Sequence, residues 1–161
     1  DFFMNGDSTD LPHTPNGLTD GDSLLSFRRS HVLATGDLFT PGRFPLIDLA
    51  QGGSINGLIS GVNKALEIAV PAAYQERGTY VIPGRGRLCD EADLAEFREM
   101  VTVVRDRVQA MINDKKTLQQ VQAARPAFDY ENTYGKNGGP TAQAFVETVY
   151  KSLTAPPKGA N

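Results

Sequence analysis

The stretch Thr19–Phe39, TDGDSLLSFRRSHVLATGDLF, contains two short apolar segments with a turn between them. Residues 23–27 and 32–35 are rich in Leu, Val and Phe, which is typical of strands, and the Arg-Arg-Ser sequence between them is typical of a turn. The second segment ends in Gly36-Asp37. We therefore predict two strands, with the Asp37 carboxylate at the C-terminal edge of the second.

Helices are predicted on the C-terminal side of this stretch. Ser54 is a suitable N-cap for a helix whose apolar residues recur on one face. Asp90 precedes the clearest helix, over residues 91–113, where apolar positions alternate three and four apart. Tyr80–Ile82 is a third short strand, Thr117 begins a shorter helix, and a last helix lies near the C-terminus. Strands that alternate with long helices predict an α/β domain.

The composition excludes several classes of function. With a net charge of −3 over 161 residues, the chain lacks the clustered Lys and Arg that nucleic-acid binding requires, so no nucleic-acid partner is expected. No apolar run is long enough for a transmembrane segment. The single cysteine, Cys89, excludes an internal disulfide. The first ten residues are typical neither of a signal peptide nor of a natural start. Whether the protein has an upstream part therefore stays an open question.

Three loops carry the candidate chemistry: residues 19–22, 35–37 and 83–86. Sites in α/β sheets gather at strand ends, because loops converge there. The loops stand in order with four longer runs: FPLIDLAQGGSINGLI, GTYVIPGRGRLCDEADLAEFREMVTVVRDRV, TLQQVQAARPAFDYENTYG and FVETVYKSL. From about residue 16 to 153, this ordered set resembles the metallo-β-lactamase-fold hydrolases.

The resemblance implies a fold and a domain organisation. In that family two similar halves pack as an αββα sandwich, with one or two Zn²⁺ ions at one edge between the halves. Residues 23–153 would be the C-terminal half, a small sheet covered by helices. Residues 1–22 would be a loop or N-terminal extension, and residues 154–161 a flexible tail.

The resemblance also implies metal-ligand positions, and the chain departs from them. The family has an HxHxDH run in its first half, a His before the TDGD run, a bridging Asp in TGD and a His in PGHG. Here no HxHxDH run exists, Leu18 precedes Thr19, and Arg85 occupies the PGHG position. Asp37 is the one expected ligand retained, as a vestige. Because Leu and Arg cannot coordinate a cation, no zinc or other cofactor is expected.

Other side chains near these loops have candidate roles. His13 is a possible compensating ligand, against the alternative of a surface or packing histidine. Asp20 and Asp22 are possible supporting groups that hold the loop behind the ligands, against the alternative of turn formers. We hypothesise that the Arg85 guanidinium replaces the metal's charge and lies within hydrogen-bonding range of a partly buried Asp37 or of another acidic group. The alternative is that Arg85 faces solvent.

Half of a sandwich would leave one sheet face uncovered. We expect Leu24, Phe27, Leu33 and Val81 to be exposed on that face, at a cost of several kcal/mol. A covering partner is therefore expected: another protein chain, a second copy of this chain, or upstream residues.

Three functions fit these observations. The leading interpretation is a non-catalytic relative that serves as a structural or interaction subunit of a larger assembly. The first alternative is a Zn-dependent hydrolase of ester, amide or thioester bonds, whose N-terminal half and metal ligands are missing from this chain. The second alternative is a metal-free small-molecule binding module. The sequence assigns no compartment, and the resemblance implies export to the periplasm.

Overall fold

A computed structural model describes residues 2–4, 6–74 and 78–155. The sheet has five strands in the order β1-β2-β3-β4-β5. Their bounds are β1 Phe2–Met4, β2 Asp7–Asp10, β3 Leu25–Phe27, β4 Val32–Gly36 and β5 Tyr80–Pro83. The first four strands are joined in antiparallel pairs, whereas β4 and β5 are parallel. The parallel pair requires a crossover, which the first helix supplies.

Helices follow where the apolar periodicity predicts them. Their bounds are α1 Ile55–Ile68, α2 Glu91–Asn113, α3 Leu118–Ala123, α4 Glu131–Tyr134 and α5 Ala142–Thr154, with a 3₁₀ turn at Phe128–Tyr130. The predicted N-caps Ser54, Asp90 and Thr117 are confirmed, because each side chain accepts a backbone N–H in the first turn of its helix. Helix α2 packs against both α1 and α5, and its apolar stripe is buried from Leu94 to Val108, whereas Met111 is partly buried.

The two faces of the sheet differ in burial. Ser26, Leu33 and Val81 form one row across β3, β4 and β5, and all three are buried in the core shared with the helices. The opposite face carries two rows of apolar side chains that are only partly covered. We call this the open sheet face, and it consists of Leu25, Phe27, Val32, Ala34, Tyr80 and Ile82.

The expected set of uncovered residues needs correction. Leu24, Leu33 and Val81 are 0% exposed, because the chain's own helices cover them. Phe27 alone of the predicted set lies on the open sheet face, where it is half-buried. Composition could not distinguish the faces, since both rows of the strands are apolar. An uncovered face exists, as expected, but it is the other one.

The N-terminal segment also differs from the expectation. The sequence predicts loop for residues 1–22, yet β1 and β2 pair with each other, and β2 pairs with β3 to extend the sheet. Asp7 supports this pairing, because its carboxylate accepts hydrogen bonds from the backbone amides of Arg29 and Ser30 and from the Ser30 hydroxyl. The apolar periodicity of the sequence does not indicate β2, because the residues of this strand are polar. The predicted tail, residues 154–161, lies outside the described residues beyond Ala155.

Candidate functional site

The candidate site lies where the parallel strands β4 and β5 end. Gly36 closes β4 with a positive φ of 55°, and the Gly84 amide donates to its carbonyl oxygen at 2.7 Å. A Cβ atom on Gly84 would lie 2.8 Å from the backbone carbonyl carbon of Gly36 and 3.0 Å from the backbone nitrogen of Asp37, so only glycine permits this approach. The parallel register therefore brings Asp37 and the loop of residues 83–86 together.

Arg85 and Asp37 form an ion pair on the surface. The Arg85 Nε atom lies 3.7 Å from Oδ1 of Asp37, and the side chains are 68% and 55% exposed. This distance is too long for a hydrogen bond. The hypothesis that Arg85 approaches Asp37 is thus supported as an ion pair, whereas the expected hydrogen bond and the burial of Asp37 are wrong. An exposed pair of this kind contributes at most about 1 kcal/mol to stability.

Leu18 belongs to the hydrophobic core. Leu18 is only 7% exposed, and its carbonyl oxygen accepts a hydrogen bond from the Asp48 amide at 2.8 Å. Gly53 lies so close that a Cβ atom there would come within 2.0 Å of the same carbonyl oxygen. This packing holds the beginning of the Thr19–Asp22 turn against the segment before α1.

The acidic residues of that turn stabilise the loop or face solvent. Oδ2 of Asp22 accepts a hydrogen bond from the Thr19 amide at 2.8 Å, which is the geometry of a turn former. The exposed side chain of Asp20 makes no hydrogen bond within the part of the chain that the structure describes. His13 lies across the turn, with Nε2 2.7 Å from the Asp20 carbonyl oxygen. Since that oxygen can only accept, Nε2 carries the proton and is not available as a metal ligand.

A cleft of about 840 Å³ opens at this edge. Leu18, Asp37 and Arg85 all line it, so the structure brings the two substituted positions and the retained carboxylate together. The segment before α1 supplies most of an apolar wall, which consists of Phe44, Pro45, Leu46, Ile47 and Leu49. Arg43 lines the same cleft. No spacing pattern in the sequence indicated that Arg43 would face the site.

The donor set does not fit a zinc centre. Of the three positions that the resemblance assigns to ligands, one holds a carboxylate, one a hydrocarbon side chain and one a cation. Zinc in proteins binds three or four nitrogen, sulfur or oxygen donors. Throughout the described residues, no three or more His, Cys, Asp or Glu side chains come together in a way that could hold a metal ion.

The loop after Arg85 is anchored to helix α2. Arg87 forms a two-point ion pair with Asp93, in the first turn of the helix. Burial opposes the charged form of Asp93, but the hydrogen bonds from Arg87 and from the Asp90 backbone prevail and lower its pKa. Burial raises the pKa of the adjacent Cys89 thiol to about 11, with the charge of Asp93 adding to the effect. The thiol is therefore protonated near neutral pH, which suits a packing role.

Comparison with solved structures identifies the fold. The stereoselective inverting sec-alkylsulfatase Pisa1 from a Pseudomonas species superposes with a TM-score of 0.70 at 15% identity, over 95% of this chain and 25% of that one. A metallo-β-lactamase family protein from Thermus thermophilus gives 0.60 at 14% identity, over 94% of this chain and 45% of that one. No protein-family model matches the sequence, and no curated protein matches it either.

These likenesses show the fold and leave the activity open. The chain has the architecture of the C-terminal half of a metallo-β-lactamase fold, with a mixed sheet and a helical layer on one side. It spans between a quarter and a half of the length of the two structures. Among the described helices, none combines the length and the apolar character needed to cross a membrane.

Proposed function

We propose that this chain is a non-catalytic metallo-β-lactamase-fold unit that works as a structural or interaction subunit. One observation carries the proposal: the cleft edge presents Leu18, Asp37 and Arg85 where the resembling hydrolases have a His, an Asp and a His. Leu18 is buried in the core, and Arg85 places a permanent positive charge beside the carboxylate of Asp37. No hydrolytic step is therefore assigned to this edge.

The positive charge of Arg85 further weakens the case for a metal. A divalent cation held by Asp37 would stand close to a guanidinium that stays charged at all accessible pH values. The two cations would repel each other, and a single exposed carboxylate would have to offset both that repulsion and the dehydration of the ion. The alternative of a zinc hydrolase would need ligands from residues that the structure does not bring to the cleft.

The open sheet face supports an interaction role. Its two rows, Leu25–Ala34–Ile82 and Phe27–Val32–Tyr80, carry no charge across three strands. Sheets with an apolar face bury it against another layer, because exposing apolar surface to water costs roughly 25 cal/mol of free energy per Å². Tyr80 and Ile82 remain 37% and 44% exposed.

We infer that another sheet covers the open sheet face. The preferred candidate is the same face of a second copy of this chain. An apolar patch without charges is complementary to itself, as a two-fold symmetric interface requires. The similar halves of the resembling sandwich pack sheet against sheet, so a two-fold pair of these chains would rebuild an αββα sandwich. Another protein chain with a matching sheet face and upstream residues of the same protein are the alternative occupants.

Two measurements on the purified chain test the proposal. Metal analysis after exposure to zinc is expected to find far less than one ion per chain, and assays with ester, amide and thioester substrates are expected to show no turnover. Sedimentation is expected to find a dimer at micromolar concentrations. About two zinc ions per chain together with hydrolysis would overturn the non-catalytic assignment. A monomer would exclude the second copy and leave another protein chain or upstream residues as the occupant.

A further inference from the structure

A second cavity lies at the opposite end of β4 from the cleft. It has a volume of about 700 Å³ and opens beside the turn between β3 and β4. The five residues of β4 separate it from Asp37 by roughly 16 Å. Its wall comes from the end of β2, this turn, the last turns of α1 and the segment that leads into β5. The cavity is therefore distinct from the cleft that holds Asp37 and Arg85.

The floor of this cavity carries polar side chains in a row that is otherwise apolar. Asp10 is paired with Ser26 across β2 and β3, so both side chains point to the same face of the sheet. Ser26 in turn stands opposite Leu33, on the face that the helices cover. Both polar residues line the cavity. A hydroxyl and a carboxylate in such a row are costly to bury unless they find partners.

These polar side chains have hydrogen-bonding capacity that the chain does not use. Ser26 is 6% exposed, and its hydroxyl makes no hydrogen bond with any described residue. Oδ2 of Asp10 accepts a hydrogen bond from Nε of Arg28 at 2.6 Å, but Oδ1 is buried without a partner there. Thr79 is 5% exposed, and its oxygen accepts the Val70 amide, which leaves the hydroxyl proton free to be donated. Two buried hydroxyls at the floor thus offer donors to a ligand.

The charged groups of the lining favour a ligand with one negative charge. Asp10 is the single carboxylate of the lining, and the guanidinium of Arg28 pairs with it through Nε, which leaves the Nη atoms for a ligand. Lys64 is exposed and forms no ion pair within the described part of the chain. The imidazole of His31 is the remaining titratable group. Because the nearby C-terminal end of α1 contributes a partial negative charge, the positive excess is small and suits a monoanion.

Apolar side chains form the rest of the wall. Leu11 is 56% exposed, whereas Ile68 and Val70 are half-buried. Phe27 and Val32 contribute at the rim, where the cavity approaches the open sheet face. A concave site of this size, mostly apolar with a few converging polar groups, is typical of small-molecule binding, for which volumes of roughly 300–1,000 Å³ are usual. The walls therefore suit a compact apolar body.

We propose that this cavity binds a small carboxylic acid with a compact branched or aromatic body. The carboxylate accepts hydrogen bonds from the hydroxyls of Ser26 and Thr79. Lys64 and the Nη atoms of Arg28 supply the balancing charge. The apolar body packs against Leu11. This site goes beyond the proposed interaction role and lies at the other end of the sheet from the positions of the metal ligands in the resembling hydrolases.

Calorimetric titration of the purified chain with matched probes tests this inference. Benzoate, benzamide, benzamidine and phenyl phosphate vary the charge on one ring, and isovalerate with isovaleramide repeats the comparison on a branched aliphatic body. At least one carboxylate is expected to bind about tenfold more tightly than its own amide, because only the acid pairs with the cations. Benzamidine and phenyl phosphate are expected to bind more weakly than benzoate. Acetate, which has no body, is expected not to bind measurably.

Variants of the lining locate the binding. Lys64→Gln is expected to weaken the carboxylate about tenfold and to leave the amide unchanged. Ser26→Ala is expected to weaken the carboxylate severalfold, while its midpoint of unfolding in urea stays equal or rises, because a buried hydroxyl without a partner is removed. A purely structural role of Ser26 would lower that midpoint instead. Arg98→Gln, at an exposed position of α2, is the control with the same loss of charge and is expected to leave binding unchanged.

Three outcomes would overturn the inference: no saturable binding of either carboxylate, amides that bind as tightly as their acids, or unchanged carboxylate binding in both Lys64→Gln and Ser26→Ala. Tighter binding of phenyl phosphate than of benzoate would overturn the assignment of a carboxylate. Both variants change the helix-covered side of the sheet, so they are expected to sediment as the wild type does. Failure of the carboxylate site is therefore distinguishable from failure of the proposed interaction role.

Discussion

Replacing Ile82 with Asp is expected to break the association of the open sheet face. Ile82 leaves 44% of its surface exposed in the single chain. Complete burial of an isoleucine is worth roughly 1.5–3 kcal/mol, so covering the remainder contributes about 1 kcal/mol per copy. In a two-fold dimer both copies lose it, which amounts to about 2 kcal/mol or a roughly thirtyfold weaker dimer. Because an aspartate must also be dehydrated, this figure is a lower bound.

Sedimentation equilibrium over a range of micromolar concentrations measures this change. Ile82→Thr is a second variant, which keeps the strand preference of a β-branched residue while removing apolar area. Phe128→Asp is the matched control, since Phe128 is 56% exposed but lies among the helices. Equal dissociation constants for the wild type and Ile82→Asp would refute the reasoning, as would a loss of association in the Phe128 variant alone.

Three further predictions concern the packing of Gly53 against Leu18, the loss of stability in acid through Asp7, and the reactivity of the Cys89 thiol. Gly53→Ala is expected to lower the free energy of unfolding in urea by about 1–3 kcal/mol, because its Cβ would lie 2.0 Å from the Leu18 carbonyl oxygen. Gly21→Ala is the control. Its nearest contact would be at 3.8 Å, so it is expected to be nearly neutral. Hydrogen bonds from the Ser30 hydroxyl and the Arg29 amide lower the pKa of Asp7 from 3.8, so its contribution to stability is present above that pH and lost as the pH falls through the folded value. The thermal unfolding temperature of Asp7→Asn should therefore be lowered at pH 7 and converge with that of the wild type in acid, and a difference independent of pH would contradict this. Cys89, whose pKa burial raises to about 11, is expected to react slowly with a thiol reagent at pH 7 in the folded chain and rapidly in denaturant.

Local features of the sequence predicted most of the helical layer. Ser54 and Asp90 cap helices that begin at the expected residues, because a capping side chain and an apolar stripe are local properties. Strand β2 was missed for a related reason. Its residues, DSTD, are polar, and their place in the sheet depends on hydrogen bonds from a turn more than twenty residues away.

The candidate site was predicted in part. Leu18, Asp37 and Arg85 were identified through the family resemblance, and the structure places all three at one cleft. The apolar wall and Arg43 were not foreseen, since nothing in the spacing of residues 43–49 relates them to Asp37. The separation of Arg85 from Asp37, 3.7 Å at an exposed position, also depends on backbone geometry that sequence does not specify.

The sequence by itself determined the residue types at the three positions that the resemblance assigns to metal ligands, which are Leu18, Asp37 and Arg85. It also determined the α/β class, because alternation of strands and amphipathic helices is a local pattern. Only the tertiary structure decided which side of the sheet is open. Leu33 and Ala34 are neighbours in the chain and both apolar, yet they point to opposite faces, and the helices that follow cover only the face of Leu33. Which face is covered depends on how α1 crosses between β4 and β5, a long-range property that no local pattern contains.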